Sequence, residues 1–159
     1  MFGLLVVACF AAFFVTQRLK HTPTAIQEFR VGRSFVPGTP GPAGDEHISF
    51  KSAAADEVTV TIVNSALEEV ATLVSLRPVE RYKILYLRWN GRRGETHGYS
   101  LLRTPRGLPI VLAQNSGAVA PAGEYRVQVS LHRQHKVVLS PESFTLARPQ
   151  RAISQAGGA

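Results

Sequence analysis

Residues 56–74 read DEVTVTIVNSALEEVATLV, and residues 121–146 read PAGEYRVQVSLHRQHKVVLSPESFTL. In the first stretch Val58, Val60 and Ile62 fall on one face of an extended chain and Thr59 and Thr61 on the other. In the second, Tyr125, Val127, Val129 and Leu131 alternate with Arg126, Gln128 and Ser130. Successive side chains of a strand point to opposite faces, so this period of two describes strands half-buried on a core, and one wet face marks the antiparallel type. Outward from these two, the same reading predicts strands at Ile48 to Lys51, Val70 to Leu76, Tyr82 to Trp89, Gly98 to Arg103, Leu108 to Ala113, Lys136 to Leu139 and Ser143 to Ala147. Short turn signals separate them, including Asn64-Ser65, Asn90-Gly91, Pro105-Arg106-Gly107 and Ser140-Pro141. Seven to nine short strands with no amphipathic helix beyond the N-terminus predict a mainly β fold: an immunoglobulin-like antiparallel β-sandwich over residues 46–148.

The chain has 159 residues and a net charge of +7, which bounds it to one ordinary domain with short appendages and excludes a barrel enzyme or a two-domain oxidoreductase. With 45% hydrophobic and 18% charged residues it is too apolar to be disordered throughout. The lone Cys9 excludes an intramolecular disulfide and a zinc site built on several cysteines. Without an intersheet disulfide, the aliphatic faces and Trp89 must hold the sheets together, and Trp89 is expected to be the central plug.

At the chain start, Phe2 to Val15 read FGLLVVACFAAFFV, an unbroken apolar run. As a helix of ~1.5 Å per residue the run is short for a ~30 Å hydrocarbon core. Extension to Leu19, with Arg18 and Lys20 reaching the headgroups, makes it long enough. A cleaved secretory signal is disfavoured, because no basic residue precedes the run and its exit reads FFVTQRLK. The tetrapeptide Val6-Val7-Ala8-Cys9 has the look of a lipoprotein box, but the residues after Cys9 stay apolar. A buried N-terminal core helix is the other alternative. The reading expects a single transmembrane or signal-anchor helix in residues 1–21, with residues 2–19 in the membrane. Arg18, Lys20, Arg30 and Arg33 all follow the run, so a literal positive-inside count puts the body in the cytoplasm, whereas the composition and fold favour an extracytoplasmic body; a basic segment upstream of Met1 would reconcile the two. Residues 22–45 hold Pro23, Pro37, Pro40 and Pro42 with Gly32, Gly38, Gly41 and Gly44, and predict an extended tether; residues 149–159 predict a disordered tail.

Three motifs carry a family resemblance: the Val58 to Val74 hairpin, the turn Trp89-Asn90-Gly91, and Pro121-Ala122-Gly123-Glu124-Tyr125-Arg126-Val127. Together they resemble the immunoglobulin-like domain of the flagellar hook-capping type, which also occurs in bacterial envelope proteins, over roughly residues 46–147. The resemblance implies that Trp89, Asn90, Gly91, Pro121, Gly123, Tyr125 and Val127 define the fold. Asn90 replaces the family's aspartate as an Asx-turn acceptor, Gly91 takes a positive φ, Gly123 is expected to let the chain enter its strand tightly, and Tyr125 should lie beside Trp89 with its hydroxyl at the rim. Residues 92–120 depart from the family, whose connection here is much shorter; an added hairpin is expected, and as an enlarged loop it is the candidate for specificity.

The chemistry of catalysis is poorly represented. His132 and His135 are three apart with no thiol or carboxylate placed to complete a metal site, and the five histidines read as solvated. There is no G-x-S-x-G elbow, no S-x-x-K, and no phosphate or dinucleotide fingerprint, and Glu68-Glu69 reads as a turn with both heads in water. The expectation is a non-enzyme without cofactor or metal. Charge is more informative. Arg77, Arg81, Lys83, Arg88, Arg92, Arg93, Arg103 and Arg106 against Glu80 and Glu95 form a basic belt around the Trp89 turn. Guanidinium forks suit phosphates and carboxylates, so the belt is a candidate for partner or anion contact: a lipid headgroup, an anionic wall polymer or, less in keeping with the absence of a recognition helix, nucleic acid. The function expected is a membrane-tethered, extracytoplasmic module with a structural, assembly or adhesion role in a bacterial envelope, binding an envelope protein. The alternative is an anionic-polymer-binding domain. Oligomeric state is not legible.

Overall fold

The computed structural model describes residues 24–148. The expected anchor in residues 1–21 and tail in residues 149–159 lie outside them. Among the described residues no helix is long and apolar enough to cross a membrane.

The fold is mainly β. Its strands are β1 (Ile26–Val31), β2 (Ser34–Phe35), β3 (Glu46–Ser52), β4 (Asp56–Asn64), β5 (Glu69–Val79), β6 (Ile84–Trp89), β7 (Gly94–Arg103), β8 (Pro109–Asn115), β9 (Gly123–Leu131), β10 (Lys136–Leu139) and β11 (Phe144–Leu146). All nine sequence-predicted strands are present with ends shifted by a few residues. Hydrogen bonding links them as β1-β3-β6-β8-β7-β5-β4-β9-β11-β2, with β10 pairing on β9. The strip is mixed, not purely antiparallel as expected: β5 pairs parallel with β7, β6 with β8, and β11 with β2.

Two places explain how the strip curls. β7 is shared along its length, with Gly94 and Glu95 pairing with Ala71 and Thr72 of β5, and the remainder with β8. At the free edges, β1 and β2 are consecutive in the chain. Gly32 N–H still donates to His47 of the β3 side, while Arg33 C=O already accepts from Thr145 N–H of β11, at 3.1 and 2.9 Å. The first and last strands of the strip are therefore joined by the shortest of links, and the edges that unpaired strands would expose are brought together.

This overturns one expectation. Residues 24–45 are not an extended tether. Ile26 and Phe35 are both 4% exposed, and Pro42–Gly44 forms a 3-10 turn whose last residue, Gly44, is buried. Proline and glycine here shape the edge crossing: Gly44 has no room for a Cβ, which would lie 2.0 Å from the Thr39 carbonyl oxygen. The folded body therefore includes residues 24–45 and does not start at 46.

The core lies between the two halves of the curled strip. Val58, Val60 and Ile62 of β4, Val127 and Val129 of β9, and Leu73 and Val74 of β5 are fully buried, facing Ile48, Phe50 and Leu87 from β3 and β6. The alternation read from the sequence points the β4 and β9 residues inward, whereas Val70 to Val74 of β5 are buried in an unbroken run across a register shift at Leu73. A polar clamp closes the end of β4. The Asp56 carboxylate accepts from Glu57 N–H and Arg133 N–H at 2.7 and 2.8 Å, and from Gln134 N–H and Gln134 Nε2 at 3.2 and 3.0 Å. Burial opposes the charge, but these four donors outweigh it and hold the carboxyl below its ordinary range.

The segment 92–120 does form the expected hairpin, β7–β8, with Thr104 C=O accepting from Gly107 N–H at the tip. It is not a simple loop at one end: β8 lies against β6 over Tyr86 to Trp89, so this segment supplies the strands that carry the strip from one half to the other.

Candidate functional site

The fold-defining residues converge on one aromatic cluster. Trp89 is fully buried, and its ring meets Phe35 at 5.6 Å, Tyr125 at 5.8 Å and Phe144 at 6.0 Å, all edge-on. Edge-to-face packing sets the positive ring rim against a negative face, and each such pair adds about 0.5–1.5 kcal/mol beyond area burial. The indole N–H is satisfied by Arg92 C=O at 2.8 Å. That bond requires the chain to reverse after Trp89, and the Asx-turn does it: Asn90 Oδ1 accepts from Arg92 N–H at 3.0 Å, and Gly91 adopts φ +75°. Any side chain at Gly91 would also collide with Pro37, 2.5 Å from an ideal Cβ.

Tyr125 lies beside Trp89 as expected, and its hydroxyl donates to Pro121 C=O at 2.6 Å, four residues upstream. Burial raises the phenol, partly offset by the Arg93 charge. Val127 is buried in the core. Gly123 departs from expectation: its φ is not positive and a Cβ there would meet nothing within 4 Å, so the tight entry into β9 does not need glycine. Removing only the hydroxyl tests the corner. Tyr125→Phe is expected to cost about 1–1.5 kcal/mol in a urea titration, because one internal hydrogen bond is lost while the ring stays packed; an unchanged midpoint would show that water replaces the bond at no cost.

Residues that the sequence reading did not single out complete the architecture. Asn115, 2% exposed, donates through Nδ2 to Thr72 C=O at 3.0 Å and Gly94 C=O at 2.6 Å, pinning β8 where β5 and β7 meet. Phe35 was hidden in the Pro/Gly-rich stretch, where no periodicity marks it. Glu46, 1% exposed, takes Gly32 N–H at 2.5 Å.

The basic residues do not form one belt around the Trp89 turn; the strand directions divide them. Arg92 and Arg93 flank the turn, and Arg92 caps Gly117 C=O at 3.1 Å. Arg88 is half-buried on the outer face of β6, in a shallow groove of about 280 Å³ shared with Arg30, His47 and Tyr86. Arg77, Arg81, Lys83, Arg103 and Arg106 lie at the opposite end of the strip. There Arg77 stands over the Tyr99 ring at 5.9 Å, Arg81 donates to Ala53 C=O at 3.2 Å, and Arg103 donates to Gly107 C=O at 3.1 Å. Lys83 pairs with Glu80 at 2.6 Å. Arg77, Arg81, Arg103 and Arg106 form no ion pair among the described residues. Exposed apolar side chains crowd the same end: Tyr82, Ile84, Leu101, Leu102 and Leu108, with Leu101 at 67% exposure.

The histidines are dispersed. His132 meets Thr59 Oγ1 at 2.9 Å, and His135 sits in the β9–β10 turn at φ +50°. Among the described residues no group of three or more His, Cys, Asp or Glu side chains is arranged to hold a metal. Glu68 and Glu69 each take a local hydrogen bond, from Asn64 Nδ2 and the Thr72 hydroxyl. Comparison of the chain with family models, curated proteins and solved structures yields no match.

Proposed function

We propose that the chain is a membrane-tethered, extracytoplasmic immunoglobulin-like module that works by contact, in a structural, assembly or adhesion role in a bacterial cell envelope. The observation that carries the reading is the strand connectivity. β1, β3 and β6 are hydrogen-bonded neighbours in one half of the strip, and β4, β9 and β11 in the other, with β5 extending the second. This resembles the partition of immunoglobulin strands A, B, E and C, F, G, with a C′-like addition, and supports the immunoglobulin-like part of the reading. The first strand splitting between the two halves, and a tyrosine at the start of β9 bonded to the backbone upstream, support the same assignment. The hook-capping resemblance adds the Trp89-Asn90-Gly91 turn and the Pro121 to Val127 motif to that support. The side chains that stand out on the surface are arginines and aliphatics, which suit docking better than bond-making chemistry, and the reading assigns no catalytic residue, metal or cofactor.

The experiment is topological. With an epitope tag after Ala159, protease added to spheroplasts is expected to remove the tag while a cytoplasmic marker survives. A tag that is lost only after membrane lysis would place the body in the cytoplasm and overturn the proposal.

A second reading, an anionic-polymer-binding domain using the arginine-rich segment 77–106, is favoured by the unpaired guanidinium groups at the hairpin end. Binding that collapses with added salt supports it, because exposed charges are screened within about 10 Å at 0.1 M. Salt-insensitive binding to a protein partner supports the first.

A further inference from the structure

Where the described chain begins relative to its basic and apolar surface sets a strong constraint. Ala25 C=O accepts from Ala53 N–H, and Ser52 C=O from Tyr82 N–H, at 3.0 and 2.9 Å. Ile84 pairs with Lys51, Tyr86 with Ile110, and Arg103 with Pro109. The start of β1, the β5–β6 turn and the tip of the β7–β8 hairpin therefore share one end of the strip. This end presents Ile84, Leu101 and Leu108 beside Arg81, Arg103 and Arg106. Its acidic groups are already committed: Glu28 to Lys51, Glu80 to Lys83, Glu57 to Arg133, and Asp56 to its four N–H donors.

Because residues 24–45 are folded into the body, the span between the expected membrane segment and the domain is short. From Leu19 to Thr24 five residues of advance reach at most about 18 Å at ~3.3–3.6 Å each, whatever path they take. A headgroup layer adds roughly 6 Å to each side of the hydrocarbon core. If residues 2–19 anchor the chain, this end cannot stand far from the lipid surface.

We propose that this end of the strip lies on an anionic bilayer, with the β7–β8 hairpin seated in the headgroup layer. Leu101, Leu108 and Ile84 reach toward the acyl boundary, and Arg81, Arg103 and Arg106 hold lipid phosphates. Cationic residues near an anionic leaflet gain electrostatic attraction, and arginine keeps its charged head among the headgroups while its stem covers apolar surface. The two ingredients select the bilayer together: guanidinium groups by themselves fit any polyanion, and the exposed apolar side chains beside them add a burial that a soluble polyanion does not offer. The proposal rests on the anchored reading above and sharpens it, converting a free-standing module into one held with a fixed face down.

The test uses the full chain with Cys9→Ser, reconstituted in phosphatidylcholine vesicles with or without phosphatidylglycerol. A nitrobenzoxadiazole probe is placed on Leu101→Cys or, at the far end, on Ser65→Cys. The expected result is blue-shifted emission and quenching by headgroup-level spin-labelled lipid at position 101, stronger in the anionic vesicles, and neither effect at position 65. Charge reversal at the exposed pair, Arg103→Glu with Arg106→Glu, should abolish the anionic dependence while circular dichroism keeps the β signature. Vesicle flotation with no quenching at position 101 would overturn the seated hairpin and leave the anchor standing. Equal quenching at both positions would overturn the fixed face, and failure to float in either lipid would overturn anchor and hairpin together.

Discussion

Trp89→Ala should unfold the domain or lower its thermal midpoint by about 10–20 °C. Truncating a buried aromatic to alanine costs about 3–5 kcal/mol, from lost transfer energy plus the void left behind, against a typical total of about 5–15 kcal/mol. The cost here should sit at the upper end. The ring is the common neighbour of Phe35, Tyr125 and Phe144, which arrive from β2, β9 and β11 in the opposite half of the strip, so no single strand can move in to fill the space. Arg92 C=O would also lose its indole donor. Trp89→Phe keeps an edge-on ring and should lose roughly half as much. Calorimetry or far-ultraviolet circular dichroism on the full chain reads the effect. A Trp89→Ala protein that melts like the parent would remove the indole from its place as the plug.

The second large effect is a gain in stability. Glu46 lies on the same face of β3 as Ile48 and Phe50, and burial pushes its carboxyl from an ordinary 4.5 to about 7, against the Gly32 N–H bond that pulls the other way. A carboxyl whose folded pKa is raised binds its proton more tightly in the native state. Stability therefore falls as pH rises from about 4.5 to about 7 and stays at the lower level above that window. Every tenfold gain in proton affinity on folding corresponds to about 1.4 kcal/mol, which puts the loss on the order of 3 kcal/mol. Glu46→Gln keeps an oxygen for Gly32 N–H and cannot ionise. At about pH 8 it should be more stable than the parent by that amount, and below about pH 4.5 the two should converge. Asp56 acts in the opposite sense and in a separate window: its lowered pKa contributes stability that is lost only as pH falls below the ordinary aspartate range. Subtracting the urea-derived stability of the parent from that of the variant at each pH isolates the contribution of Glu46. A difference that stays flat across pH would mean the carboxylate is solvated.

The segment 92–120 shows how a correct local reading can leave its consequence incomplete. A hairpin in residues 92–120 is legible because Tyr99 to Leu102 and Leu108 to Leu112 are apolar runs separated by Pro105-Arg106-Gly107. That β8 then lies parallel to β6 is not legible, because parallel pairing links strands remote in sequence and leaves no turn signature between them. The same gap divided the arginines. Their closeness in sequence suggests one belt, but β6 runs the length of the strip between Lys83 and Arg92 and carries them to opposite ends.

Residues 24–45 departed from expectation for a different reason. In an isolated chain proline and glycine favour extension without partners. In the folded chain the same residues turn β1 into β2 across the edge, and Ile26 and Phe35 supply a burial that two short strands cannot advertise by periodicity. Glu46 is likewise buried by the crossing segment, whose Gly32 N–H meets its carboxylate.

What the residues alone determined was local: which segments extend, which face each strand presents inward, and where the Asn90-Gly91 and Tyr125 devices stand, since each depends on neighbours within a few positions. Tertiary structure decided the order of the strands, the closure of β1 and β2 onto opposite edges, and the gathering of Arg81, Arg103, Ile84 and Leu101 at the end where the chain enters. Those are long-range pairings, selected by the shared burial of a core that no single stretch of sequence contains.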